Sequence, residues 1–355
     1  MIPTLRSVFD PRLNALNAVR LAMATGVIVW HSYPLTGHDI GYAPLRQALA
    51  ETWVDGFFAI SGFLITASWV RNPNVRVYVT ARLLRILPAF YTCLLITAFV
   101  VAPLGVAMQG GDWIGLLSSF APIEYVISNL GVWIFERGVG GTPTGVPHPG
   151  TWNGSLWTLG WEALCYLGVL ILGVMGLLRR QWTIPIAFAG AWLLLVVTLT
   201  ADVGGHPAAA ARFAIMFLAG AVIYQFQDRL PCTPIIVTAT LGITAMTMFL
   251  PDYRLLGALP LAYTVISMGA LIKNPRLVLK NDISYGVYIY AFPIQQLLYI
   301  ALGGMTPLVF AAIATALTVP VAATSWYVVE KPAMKLRQRL SYSPVSKMPK
   351  VNDAK

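Results

Sequence analysis

The chain has 355 residues, of which 57% are hydrophobic and 11% charged, against roughly 25% charged residues in a soluble domain. That shortfall excludes an ordinary soluble globular fold and leaves a polytopic membrane protein. The net charge of +10 comes from short basic stretches between apolar segments. These are topology signals and contacts for anionic membrane lipids, and no nucleic-acid-binding pattern accompanies them, so nucleic acid is not expected as a partner.

In chain order, residues 1–13 form a short N-terminal segment. Apolar stretches of spanning length follow near 14–33, 53–70, 86–104, 153–178, 182–201, 210–226, 233–250, 255–272, 283–302 and 306–328. They predict an all-α membrane bundle of about ten transmembrane helices. The first stretch is long and has no small-residue cleavage site behind it, so it is expected to stay as an anchor.

The stretch 112–135 is ambiguous, because it is less apolar and carries Asp112, Glu124 and Asn129. Charge settles the expectation. With the N-terminus cytoplasmic and residues 105–152 held outside without a net crossing, most of the 24 basic residues fall inside. Among them are Arg12, Arg71, Arg82, Arg85, Lys273 and Lys280. One crossing at 112–135 would invert every later loop and abolish this asymmetry. Both termini are therefore expected in the cytoplasm.

Residues 136–151 are rich in Gly and Pro and read as an ordered or lid-like external loop rather than a domain linker. A single transmembrane domain spans 14–330, followed by a basic cytoplasmic tail over 331–355 that is expected to lack order beyond Leu340. The three cysteines, Cys93, Cys165 and Cys232, suggest no disulfide framework. No inverted repeat of the transporter kind is visible.

Charged residues inside apolar segments carry the chemistry. Arg20 and His31 share the first segment with ten residues between them. Eleven helical steps put them about 16 Å apart along the axis and within roughly 20° around it, on one polar stripe. An intramembrane Arg costs at least ~2.5–3.5 kcal/mol, which favours a protein interior or polar cavity. Snorkelling of Arg20 and an interfacial placement of His31 are the alternatives.

Asp55 with Gly56, Ser61 and Gly62 marks a close-packing segment, where Asp55 is either a helix cap or the orienter of a neighbouring base. Arg82 and Arg85, three apart, share a helical face that can grip a phosphate or serve only as a topology signal. Glu162 lies two turns into a spanning helix, either functional or a helix-pairing carboxylate. Cys165 is one turn further, and inert packing is favoured there over a covalent acyl carrier.

Several stretches in order resemble the acyltransferase-3 family of membrane acyltransferases. They are Arg20 with His31, Gly56–Phe63, Arg82–Pro88, Ser155–Glu162, Ile283–Tyr290 and Val329–Pro332. That family includes O-antigen and exopolysaccharide acetylases, Nod-factor acetylases and macrolide acyltransferases. The resemblance covers nearly the whole chain and implies a stand-alone form without a C-terminal SGNH domain. Many members carry His where this chain has Ala291, which concentrates the expected base chemistry on His31.

The resemblance implies transfer of an acyl group, commonly acetyl, from cytoplasmic acyl-CoA to a hydroxyl of a glycan or related acceptor, in a bacterial inner membrane. An imidazole with pKa near ~6.5 can take the hydroxyl proton. The expected roles are His31, Glu162 and Arg20 in catalysis, with Arg20, Arg82 and Arg85 holding acyl-CoA; no metal is expected. A multi-helix transporter or flippase of a lipid-linked sugar is the alternative reading.

Overall fold

A computed structural model describes residues 2–341, and the expectation for the tail beyond them lies outside the described residues. The described chain is helical, with only two isolated β-bridges. Helix α1 spans Leu16–Leu35, α2 Ala43–Arg71 and α3 Val75–Ile96. A π-helical turn, Thr97–Val101, continues α3 into Ala102–Met108. After an irregular region come α4 (Trp157–Val174), α5 (Thr183–Thr200), α6 (Gly205–Phe226) and α7 (Pro234–Thr247). The last are α8 (Arg254–Leu271), α9 (Ser284–Leu302) and α10 (Pro307–Ser325), the last prolonged through a π turn, Trp326–Glu330, into Lys331–Ser341.

Each apolar stretch is thus helical, and among the described residues seven helices are long and apolar enough to cross a membrane. Those seven are α2, α3 with its extension, α4, α5, α6, α8 and α10 with its extension. Helices α1 and α9 have 20 and 19 residues, and α7 has 14. Polar side chains dilute the first two, and those side chains point inward: Ser284, Gln295 and Gln296 of α9 are fully buried. This is an integral membrane protein by its helices.

Helices α2 and α3 begin about ten residues earlier than apolarity alone predicts. Helix α2 starts at Ala43 rather than near 53, and α3 at Val75 rather than near 86. Residues 43–52 and 75–85 carry Arg46, Glu51, Arg76, Arg82 and Arg85, so a hydropathy reading stops where the helix does not. Asn74 caps α3 by accepting a hydrogen bond from the Val77 amide at 3.0 Å.

Helices α2 and α6 pack most extensively. Gly62 faces the Phe217 carbonyl and Gly220 faces the Ala59 carbonyl, so each backbone reaches the other where no side chain intervenes. The region 112–135 holds two short helices, Trp113–Ser118 and Ala121–Asn129, of six and nine residues. At 1.5 Å per residue they rise about 9 and 13 Å, well short of a bilayer core.

The following loop is closely tied down. The Asn129 carboxamide accepts from the amides of Phe135 and Glu136 and donates to the carbonyls of Tyr125 and Glu136. Trp152, fully buried, donates through its indole to Thr142 Oγ1 at 2.9 Å. Gln296 of α9 donates to the carbonyls of His148 and Thr151, both at 2.8 Å. Residues 136–152 form a fixed canopy.

Candidate active site

Arg20 sits on the inward face of α1. Its Nη1 meets Asp282 Oδ2 at 2.6 Å, just before α9. The same carboxylate oxygen takes Arg85 Nη2 at 2.7 Å, and Arg85 Nη1 reaches Glu330 Oε2 at 3.0 Å. The π turn at the end of α10 delivers Glu330 to this point, where it is 1% exposed. The second oxygen of Asp282 accepts from the Ser284 hydroxyl at 2.5 Å and from its amide. Asp282 thereby joins α1, α3 and α9 at one place.

Arg20 is therefore held in an ion pair rather than snorkelling. Burial opposes ionisation of Asp282, but the guanidinium groups of Arg20 and Arg85 outweigh it and hold the carboxyl below the usual range. Replacing Asp282 with asparagine leaves two guanidiniums without their shared anion, and the expected loss is about 3–5 kcal/mol of stability. Thermal unfolding in detergent checks this. Because the folded-state pKa is depressed, the stabilisation is complete above the ordinary value near ~3.9 and is lost as pH falls through the lower folded value. Asp282→Asn is expected to lack that acid-side loss.

The two arginines of α3 differ. Arg85 is bound into the network and lies near the rings of Tyr285 and Trp326. Arg82 lies between Tyr78 and Tyr166, its guanidinium carbon 5.8 and 5.9 Å from the ring centroids. Among the described residues Arg82 has no carboxylate partner, and its Nε is buried without a hydrogen bond. Of the pair, Arg82 retains uncommitted donors.

Glu162 accepts from Ser61 Oγ at 2.9 Å and from Tyr166 OH at 2.5 Å. With Arg20, Phe57, Phe58 and Tyr288 it lines a narrow cavity of about 40 Å³. Two of the three expected catalytic residues thus share one cavity, whereas no hydrogen bond joins Glu162 to His31. Asp55 is not a cap. It lies in the middle of α2, fully buried, and pairs with Arg254 Nε at 2.7 Å and Arg212 Nε at 3.1 Å.

His31 lies one turn from the far end of α1, its ring edge-on to Phe292 of α9 with centroids 5.1 Å apart. Its Nδ1 is buried and has no hydrogen-bond partner among the described residues. Next to it Gln295 donates to the Ile28 carbonyl and to Ser32 Oγ, pinning α9 to α1. His148 of the canopy packs on the same Phe292 at 5.8 Å. Burial and then the nearby Arg137 guanidinium lower the affinity of His148 for a proton, which favours its neutral form.

Asp282 and His148 were not singled out from the sequence. Asp282 immediately precedes the Ile283–Tyr290 stretch, and His148 is one of only four histidines, which are the only available signals. Cys165 packs at the edge of the core, as expected of an inert thiol. Among the described residues no cluster of three or more His, Cys, Asp or Glu stands ready for a metal ion.

At the Leu16 end of α1 a cleft of about 610 Å³ is lined by Arg12, Asn17, Arg71 and Lys280. His31 is fifteen residues further along the helix, about 22 Å away. A basic mouth, an ion-paired arginine and an unpartnered imidazole thus follow one another along α1.

Residues 13–327 match the family model described as an acyltransferase domain. The chain belongs to the acyltransferase-3 family. This membrane acyltransferase is also similar to a protein named O-acetyl transferase from Shigella phage Sf6, at 27% identity over 90% of this chain and 95% of the relative. It is 26% identical to nodulation protein 10 of Rhizobium leguminosarum bv. viciae, over 92% of this chain and 95% of that one. No solved structure matches it.

Proposed function

We propose that this acyltransferase moves an acyl group, as acetyl, from acyl-CoA to a hydroxyl of a cell-surface or secreted glycan. The observation that carries this reading is the buried, unpartnered Nδ1 of His31 on the helix that also presents Arg20. In the reaction the acceptor hydroxyl gives its proton to His31 while its oxygen attacks the thioester carbonyl. A C–O bond forms, the C–S bond breaks, and the proton passes to the departing thiolate.

Acyl-CoA carries phosphates, and the cleft with Arg12, Arg71 and Lys280 is the basic mouth suited to them. Arg82, with free donors, and Arg20 then line the path of the donor's pantetheine arm toward His31, which lies about 16 Å along α1 from Arg20. Glu162, beside Arg20, fixes the cavity between them. In this reading all ten helices cross a bacterial inner membrane, both termini are cytoplasmic, residues 105–152 stay outside, and the donor enters from the cytoplasm.

Support from relatives comes from the similarity to the O-acetyl transferase of Shigella phage Sf6. The test uses the full chain in lipid nanodiscs with acetyl-CoA labelled in the acetyl group and a panel of bacterial surface polysaccharides. Alkali-labile label on a polysaccharide is the expected result. Label that stays on acetyl-CoA with every acceptor overturns the proposal.

A further inference from the structure

A second cleft, of about 570 Å³, opens at the Glu51 end of the bundle. Arg71, at the basic mouth, is twenty residues further along α2, about 30 Å away. The two clefts therefore lie at opposite ends. The walls of the second are aromatic. Trp133 and Trp161 stand with centroids 5.1 Å apart at 58°, and His206 lies 5.5 Å from the first and 6.0 Å from the second.

The aromatic wall is built in. Gly160 permits it, because a Cβ there would meet the Trp133 ring at 2.7 Å. Trp161 continues through Phe213 to Phe58, stacked at 4.4 Å, and Phe58 lines the cavity shared by Arg20 and Glu162. The rim carries Glu51, Asp202 and Asp252 against Arg137, Arg212 and Arg254, three carboxylates and three guanidiniums. Arg254 is 2% exposed and pairs with Glu51, Asp55 and Asp252. The formal charges of these six rim residues cancel.

Indole faces bordered by hydrogen-bonding groups suit a ligand with one apolar face and a polar edge. A pyranose ring has that form, with axial C–H bonds on its faces and hydroxyls around its edge. The balanced rim favours a neutral sugar over an acidic one. Arg137 also ties the cleft to the base, because it lies close enough to His148 to act on its charge, and His148 shares Phe292 with His31.

We infer that the cleft walled by Trp133, Trp161 and His206 binds a neutral pyranose of the acceptor, its C–H face on the indoles and its hydroxyls on the Glu51, Asp252 and Arg212 side chains. The inference rests on the acyl-transfer reading above and names the acceptor class for it.

Saturation-transfer NMR on the full chain in nanodiscs tests it. The probes are the methyl glycosides of glucose, rhamnose and N-acetylglucosamine, compared with methyl glucuronide. At least one neutral glycoside is expected to receive saturation at its ring C–H protons, more strongly than the glucuronide. Trp161→Ala and Trp133→Ala are expected to weaken it about three- to tenfold, and Trp161→Phe to retain most of it. Absence of transfer to every neutral glycoside, a preference for the glucuronide, or unchanged transfer in both alanine variants overturns the inference.

Acetyl transfer on the same samples separates the two readings. Glycoside binding without any ester sinks acyl transfer and leaves the cleft standing. Ester formation in both tryptophan variants with wild-type KM for the acceptor sinks the cleft and leaves acyl transfer standing.

Discussion

His31→Ala is expected to lower acyl transfer by roughly 10²–10⁴-fold, the usual contribution of a positioned general base. The imidazole makes no hydrogen bond through Nδ1, and its ring meets Phe292 edge-on, so its removal releases no buried partner. The protein should elute and melt like the wild type while turnover collapses. Binding of labelled acetyl-CoA should persist, because the basic cleft lies about 22 Å away along α1. The measurement is kcat with a labelled polysaccharide acceptor, alongside Kd for acetyl-CoA. A variant with turnover close to wild type would remove His31 from the mechanism, and His148, which packs on the same Phe292, would be the next imidazole to replace.

Gly62→Ala is expected to have the largest effect on folding. A Cβ at this position would sit far inside 3.0 Å of the Phe217 carbonyl oxygen, and one at Gly220 likewise of the Ala59 oxygen. Both obstacles are backbone, so no side chain can swing aside to relieve them. Lipid supplies no hydrophobic drive between helices, and close approach is what holds such a pair together. Overpacking costs about 1–3 kcal/mol at an ordinary core site, and separating α2 from α6 also pulls on Asp55, which Arg212 of α6 grips.

The expected result is a clearly lower unfolding midpoint in detergent for Gly62→Ala, and failure to accumulate in the membrane for the double variant with Gly220→Ala. Gly242→Ala is the control. It lies in α7 with nothing within 4 Å of the added carbon, and alanine favours a helix more than glycine does. Equal midpoints for Gly62→Ala and Gly242→Ala would show that the α2–α6 contact is not as tight as its geometry.

Local signals carried the architecture. Runs of apolar residues located each long helix, and the isolated charges Arg20 and Glu162 pointed to an interior that now has a cavity lined by both. What stayed hidden was pairing at long range. Arg20 and Asp282 are 262 positions apart, and Arg85 and Glu330 are 245 apart, so no spacing rule in a single sequence connects them. Asp55 was misjudged as a possible cap for a related reason. Helix α2 begins twelve residues before it, and its partners Arg212 and Arg254 come from α6 and α8. His148 was obscured by its setting, since a Gly/Pro-rich loop gives no sign of which of its side chains meets the bundle.

The canopy is held mainly through its backbone. Gln296 takes the carbonyls of His148 and Thr151, Gln109 takes that of Thr144, and Asn129 binds the main chain at 135–136. Side chains from Thr144 to Pro149 therefore bear little of the load that keeps the segment in place. Such a segment works as an interchangeable face on a permanent frame: its side chains can be replaced without having to refold the bundle beneath.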